Sequence, residues 1–114
     1  MVSHLKRSGW TIREVEKNVY KPNGQQLTEI DIIAEKNGRT VYIECKRSFG
    51  DIKPKQILTQ AEYAKSKGVR KIYMYYSEDV FSPGQHYRVM EAIRNAKSKF
   101  GVDVELVQLT SEFN

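Results

Sequence analysis

"TEIDIIAEKNGRTVYIECKRS", Thr28 to Ser48, holds two runs of alternating apolar and polar residues on either side of Asn37-Gly38. Asn-Gly between such runs is the strongest short hairpin signal, because both central positions of a type I′ turn need positive φ. The turn sets the register. With Lys36 against Arg39, Asp31 falls opposite Glu44 and Glu29 opposite Lys46. Strand side chains repeat every two residues, so these four charges are expected on one side of the sheet, with Ile33 and Tyr42 beside them. Ile30, Ile32, Ala34, Val41, Ile43 and Cys45 are expected on the other side as core.

Two opposed carboxylates repel by up to about 1 kcal/mol, and a partly covered pair needs a counter-charge. Mg²⁺ meets that need well, because it accepts one or two carboxylates and keeps several waters for chemistry. Lys46 adds a cation on the same face, suited to orienting a nucleophilic water or steadying charge on a phosphate. The plainer reading of the same residues is a solvated sheet face on which Glu29 and Lys46 form a cross-strand ion pair.

At 114 residues the chain has room for one domain with a modest core. Its 39% hydrophobic and 29% charged residues match a folded protein. No apolar run approaches the roughly 18 residues of a membrane span, and the opening "MVSHLKRSGW" lacks the apolar segment of a signal peptide. A cytoplasmic site of action and no membrane partner are therefore expected. Cys45 is the single cysteine, which excludes an internal disulfide. The net charge of +5 suits a polyanion such as nucleic acid, although acidic proteins or membranes would satisfy it too.

Outward from the hairpin, a short helix over Val2 to Ser8 stops at Gly9, and Trp10 to Tyr20 alternates as a first strand. Strands over 27–35 and 40–47 follow the "KPNG" turn. Pro54 opens a helix that Gly68 ends, with Ile57, Ala61 and Ala64 as its buried stripe. A strand over 69–77, a helix from Pro83 or Gly84 to Phe100 and a strand over 102–110 complete the order α-β-β-β-α-β-α-β. Strands separated by helices pair in parallel through right-handed crossovers, so the expected fold is α/β with a mixed five-stranded sheet flanked by helices.

An acid on one strand and Glu-x-Lys on the next resembles the PD-(D/E)XK nuclease superfamily, the restriction-endonuclease-like fold. Asp31 in "EIDIIA" and Glu44-Cys45-Lys46 in "IECK" carry the likeness, and the order from Trp10 to about Ser77 follows it. The text "GW…DIIAEKNG…IECK" is particularly similar to archaeal Holliday-junction resolvases and small resolvase-like proteins. The resemblance implies a metal-dependent endonuclease using Mg²⁺ or Mn²⁺, bound by Asp31, Glu44 and the carbonyl of Cys45, with Lys46 positioning water. It implies a homodimer if the chain is resolvase-like. If the chain is instead the nuclease domain of a delivered bacterial toxin, it implies an immunity protein as partner.

Two departures stand out. Many resolvase-like members carry a metal-site Glu upstream of the pair that Gly9-Trp10 resembles, and this sequence has none there. RecB-like members place three residues between Gln and Tyr on the next helix, whereas only two separate Gln60 from Tyr63. What carries over is a polar residue facing the site. Gln56, Gln60, Tyr63 and Lys67 recur at helical spacing as one polar stripe, with Gln60 as the expected site contact. Lys53, Lys55, Lys65, Lys67, Arg70 and Lys71 form the densest basic stretch and are expected to follow a phosphate backbone. A non-catalytic nucleic-acid-binding or interaction domain on the same fold is the alternative function.

Overall fold

The hairpin turn closes as its residues demand, with φ of 55° at Asn37 and 75° at Gly38 and Lys36 paired with Arg39. A computed structural model describes residues 2–109, apart from the side chain of His4. Its elements are α1 (Val2–Arg7), β1 (Thr11–Tyr20), β2 (Gln26–Lys36), β3 (Arg39–Ser48), a single 3-10 turn (Phe49–Asp51), α2 (Pro54–Ser66), β4 (Lys71–Glu78), α3 (Pro83–Phe100) and β5 (Asp103–Gln108). The last strand is shorter than the sequence suggests, and Thr110 lies outside the described residues. No described helix is long and apolar enough to cross a membrane.

The strands lie in the order β1-β2-β3-β4-β5. The first three are antiparallel neighbours, joined by tight turns, and β3, β4 and β5 run parallel because α2 and α3 carry the chain back between them. Both crossovers step the same way across the sheet. Right-handedness therefore puts both helices on one face.

That face holds the larger core. Ile57, Ala61 and Ala64 of α2 and Val89, Ala92 and Ala96 of α3 pack on Tyr42, Ile72, Met74 and Val104 of the sheet. On the opposite face, Leu5 of α1 covers Ile32, Ala34, Val41 and Ile43.

The strict alternation expected of β2 fails at one point. Ile30 packs with the helix-side core, while Ile32 packs under α1. β1 explains the switch. Val15 pairs with Ile32 and Lys17 with Ile30, but Glu16 between them has φ of 51°. A left-handed residue inside a strand turns the following side chains, at a backbone cost of about 1–3 kcal/mol. The irregularity stands opposite Asp31.

Candidate functional site

The β2–β3 ladder runs from the turn to Ile32 against Ile43 and ends there. Beyond it the strands part: Ile30, Glu29 and Thr28 remain paired with β1, whereas Glu44, Cys45 and Lys46 remain paired with β4. The two acids occupy the gap. Glu44 Oε2 accepts the Asp31 amide N–H at 2.8 Å, and Asp31 Oδ2 accepts the Cys45 amide N–H at 2.9 Å. Asp31 and Glu44 are thus not a flat cross-strand pair, as the uninterrupted register implies. Each carboxylate replaces an acceptor that the opened ladder no longer supplies, which satisfies the backbone and anchors the acid at once.

Helix α2 closes the gap from above. Gln60, fully buried, donates through Nε2 to Glu44 Oε1 at 2.6 Å and to the Glu29 carbonyl at 2.9 Å. Gln56, one turn earlier, donates to the same Oε1 at 3.0 Å. The expected contact of Gln60 with the site is therefore present, although Gln60 lies within the core rather than on an open stripe. Gln56 is a contact that the sequence reading leaves unassigned; its spacing of one turn from Gln60 is the signal that points to it.

Glu44 is only 1% exposed. Burial raises its proton affinity, and the charge of Asp31 adds to this. Together they outweigh the hydrogen bonds from Asp31 and Gln60 and the charge of Lys46, leaving the carboxyl at about 7. The gap is a negative site short of compensating charge. Removing the Gln60 amide makes it worse, so Gln60→Ala should lower stability by about 2–4 kcal/mol through a lost charged hydrogen bond and a cavity. Urea unfolding measures this; a loss below about 0.5 kcal/mol would mean that Gln60 does not hold Glu44.

A cleft of about 490 Å³ borders the gap, lined by Thr28, Glu29, Lys46, Lys53, Lys55 and Gln56 among others. Lys46 and Glu29 share this wall, but among the described residues they form no ion pair with each other. The solvated cross-strand bridge is therefore not what the fold builds. Cys45 also departs from expectation. It is exposed rather than core, because its face of the sheet extends past the cover that α1 provides. Partial desolvation and the charges of Asp31 and Glu44 push its thiol up to about 11, so it is protonated and a poor soft ligand.

The basic stretch does not form one path. Lys53 and Lys55 line the cleft beside Lys46, whereas Lys67, Arg70 and Lys71 stand at the far end of α2, roughly 18 Å away along the helix. Lys71 is already engaged, bridging Asp103 at 2.7 Å and Glu105 at 2.9 Å, with its ammonium pushed up to about 12. Partial burial opposes that rise, and the two carboxylates overcome it. Lys71 is thus a strand-to-strand clamp in place of the expected phosphate contact.

Among the described residues, no three His, Cys, Asp or Glu side chains converge as a metal cage. The oxygen donors in the gap come from Asp31 and Glu44. No protein-family model and no curated protein matches the chain. A functional reading therefore rests on this geometry.

Proposed function

We propose that the protein is a metal-dependent endonuclease of the PD-(D/E)XK type on a restriction-endonuclease-like fold, hydrolysing phosphodiester bonds of nucleic acid. The observation that supports this best is the parted ladder. Asp31 and Glu44 are pinned in one gap by the backbone N–H groups of Asp31 and Cys45, with Lys46 on the adjoining cleft wall. A fold that only needed a stable sheet would continue the ladder and leave no buried carboxylate at about 7.

The donor set fits a hard divalent ion. Two carboxylates suit Mg²⁺ or Mn²⁺, which complete their shells with water, and the absence of nitrogen or thiolate donors disfavours zinc. The Cys45 carbonyl faces the same gap as its N–H, since both groups of a strand residue project toward the same neighbour. Asp31, Glu44 and that carbonyl would hold the ion, which when bound acidifies a water and offsets phosphate charge. The protein does the rest. Gln56 and Gln60 fix the orientation of Glu44, Lys46 holds the attacking water or steadies charge on the phosphate, and Lys53 and Lys55 draw the backbone into the cleft.

The test is incubation of the protein with duplex DNA, junction DNA and total tRNA, with Mg²⁺, with Mn²⁺ or with chelator. Cleavage of at least one substrate that chelator stops is the expected result. Metal-independent binding without cleavage of any substrate would make the protein a non-catalytic nucleic-acid-binding domain.

A further inference from the structure

A second and larger cavity, about 1060 Å³, lies at the other end of α2. Ile33 and Tyr42, paired across β2 and β3, form its floor, and Tyr63 stacks on Tyr42 with ring centroids 6.1 Å apart. Cations surround it: Arg13 and Lys17 on β1, Arg39 at the hairpin turn, and Lys67 and Arg70 where α2 hands over to β4. Arg13 is paired with Glu35 at 3.0 Å and Lys17 with Glu14 at 3.6 Å. Arg39, Lys67 and Arg70 have no carboxylate partner among the described residues. Glu14 is the single acid on the lining. Arg39, Lys67 and Arg70 are exposed, with Lys67 Nζ 5.6 Å from the Tyr63 ring centroid, and together they give the aromatic-floored groove a positive potential that favours an anion.

The groove is aligned with the catalytic gap. Ile33 and Tyr42 each stand two residues from Asp31 and Glu44 on the same strands, and Gln56 on the cleft lies on the same side of α2 as Tyr63 and Lys67 on the groove, with the buried Gln60 between them. From Glu44 to Arg39 is five residues of β3, about 17 Å. That equals about five base pairs of duplex rise.

We infer that this groove is a second nucleic-acid site, which grips the phosphate backbone of the substrate about five base pairs from the bond to be cut, with Arg39, Lys67 and Arg70 as the contacts. The inference rests on the nuclease reading for what the grip serves, but not for the binding itself. A nucleic acid is favoured over an acidic protein because the groove begins two residues along β2 and β3 from Asp31 and Glu44, so one polyanion lying along these strands meets both the gap and the three cations without carboxylate partners among the described residues. It follows that the protein needs substrate of a minimum length, and that a short duplex filling only the cleft binds weakly.

The experiment is fluorescence anisotropy in chelator with labelled duplexes of 6 and 16 base pairs, across a salt series, for wild type and Arg39→Gln/Lys67→Gln. Both substituted residues are exposed, so folding is unaffected, and thermal melts confirm this. The double variant should bind the longer duplex about tenfold more weakly, with a log–log salt slope shallower by about 1.8. Binding of the short duplex, which reaches the groove only when displaced from a position centred on the gap, should weaken less. An unchanged slope and affinity on the long duplex would overturn the inference and leave the groove for an acidic protein. Because this readout needs no metal and no cleavage, failure of the nuclease reading leaves it intact, and its own failure leaves cleavage at the gap untouched.

Discussion

Glu44→Gln should abolish cleavage, by roughly 10³-fold or more, and at the same time make the metal-free protein more stable at pH 8. On the proposed metal-dependent mechanism, the first effect follows from removing half of a two-carboxylate donor set. The second follows from proton linkage. The Glu44 carboxyl sits at about 7 in the folded chain against an ordinary value of 4.5, because it is desolvated and then repelled by Asp31. A carboxyl raised on folding binds more protons in the native state than in the unfolded one between these two values. Stability of the metal-free protein must therefore fall as pH rises from about 4.5 to about 7, by at most about 3 kcal/mol at 1.36 kcal/mol per pH unit. Glutamine keeps an acceptor for Gln60 and cannot ionise, so the variant should gain a few degrees in melting temperature at pH 8 in chelator and nothing at pH 5. Melts of both proteins at both pH values check this. A wild-type protein whose stability rises from pH 5 to pH 8, with a variant destabilised at both, would mean that Glu44 is a compensated structural carboxylate. If the gap takes Mg²⁺ as proposed, the same linkage should make its binding release close to one proton per ion below pH 7, which calorimetry in buffers of different ionisation enthalpy detects.

Lys46→Ala should lower turnover by roughly 10²–10³-fold while substrate affinity changes little. Lys46 lies on the cleft wall beside the gap, half-buried and without a carboxylate partner among the described residues. Its charge is thus available for a water or phosphate that becomes more negative in the transition state. An interaction made mainly there appears in kcat and not in KM. Lys53 and Lys55, exposed on the same cleft, should behave oppositely, since backbone contacts act on ground state and transition state alike. Single-turnover kinetics with saturating enzyme separate the two patterns. If Lys46→Ala weakens binding and spares turnover, Lys46 is a phosphate contact and the water is positioned by other groups.

Much of this site is legible in local pattern. Asn37-Gly38 demands a two-residue turn, the turn sets the register, and alternation then brings Asp31, Glu44 and Lys46 to one end of the hairpin. Helix boundaries are equally local: Pro54 and Pro83 occupy first-turn positions in which a missing N–H is harmless. The order of strands and helices follows from the same signals, and parallel pairing of β3, β4 and β5 follows from the helices between them.

Other features depend on contacts between residues far apart in sequence. Strand periodicity assumes an unbroken ladder, so it places Ile30 with Ile32 and lays Asp31 flat against Glu44. The left-handed Glu16 on β1 and the parting of β2 from β3 break that assumption. Gln56 and Gln60 meet Glu44 only because the α2 crossover lays the helix over the gap. Lys71 reads as free cation in sequence and becomes a clamp once β5 brings Asp103 and Glu105 alongside. Arg39 and Lys67 share a groove only because the hairpin tip and the end of α2 converge. The sequence by itself determined the turn, the element order and the identity of the acid, acid and lysine, because each depends on backbone preferences within a few residues. The tertiary structure alone decided burial, charge compensation and which cations remain free, because these are set by neighbours that the chain brings together only on folding.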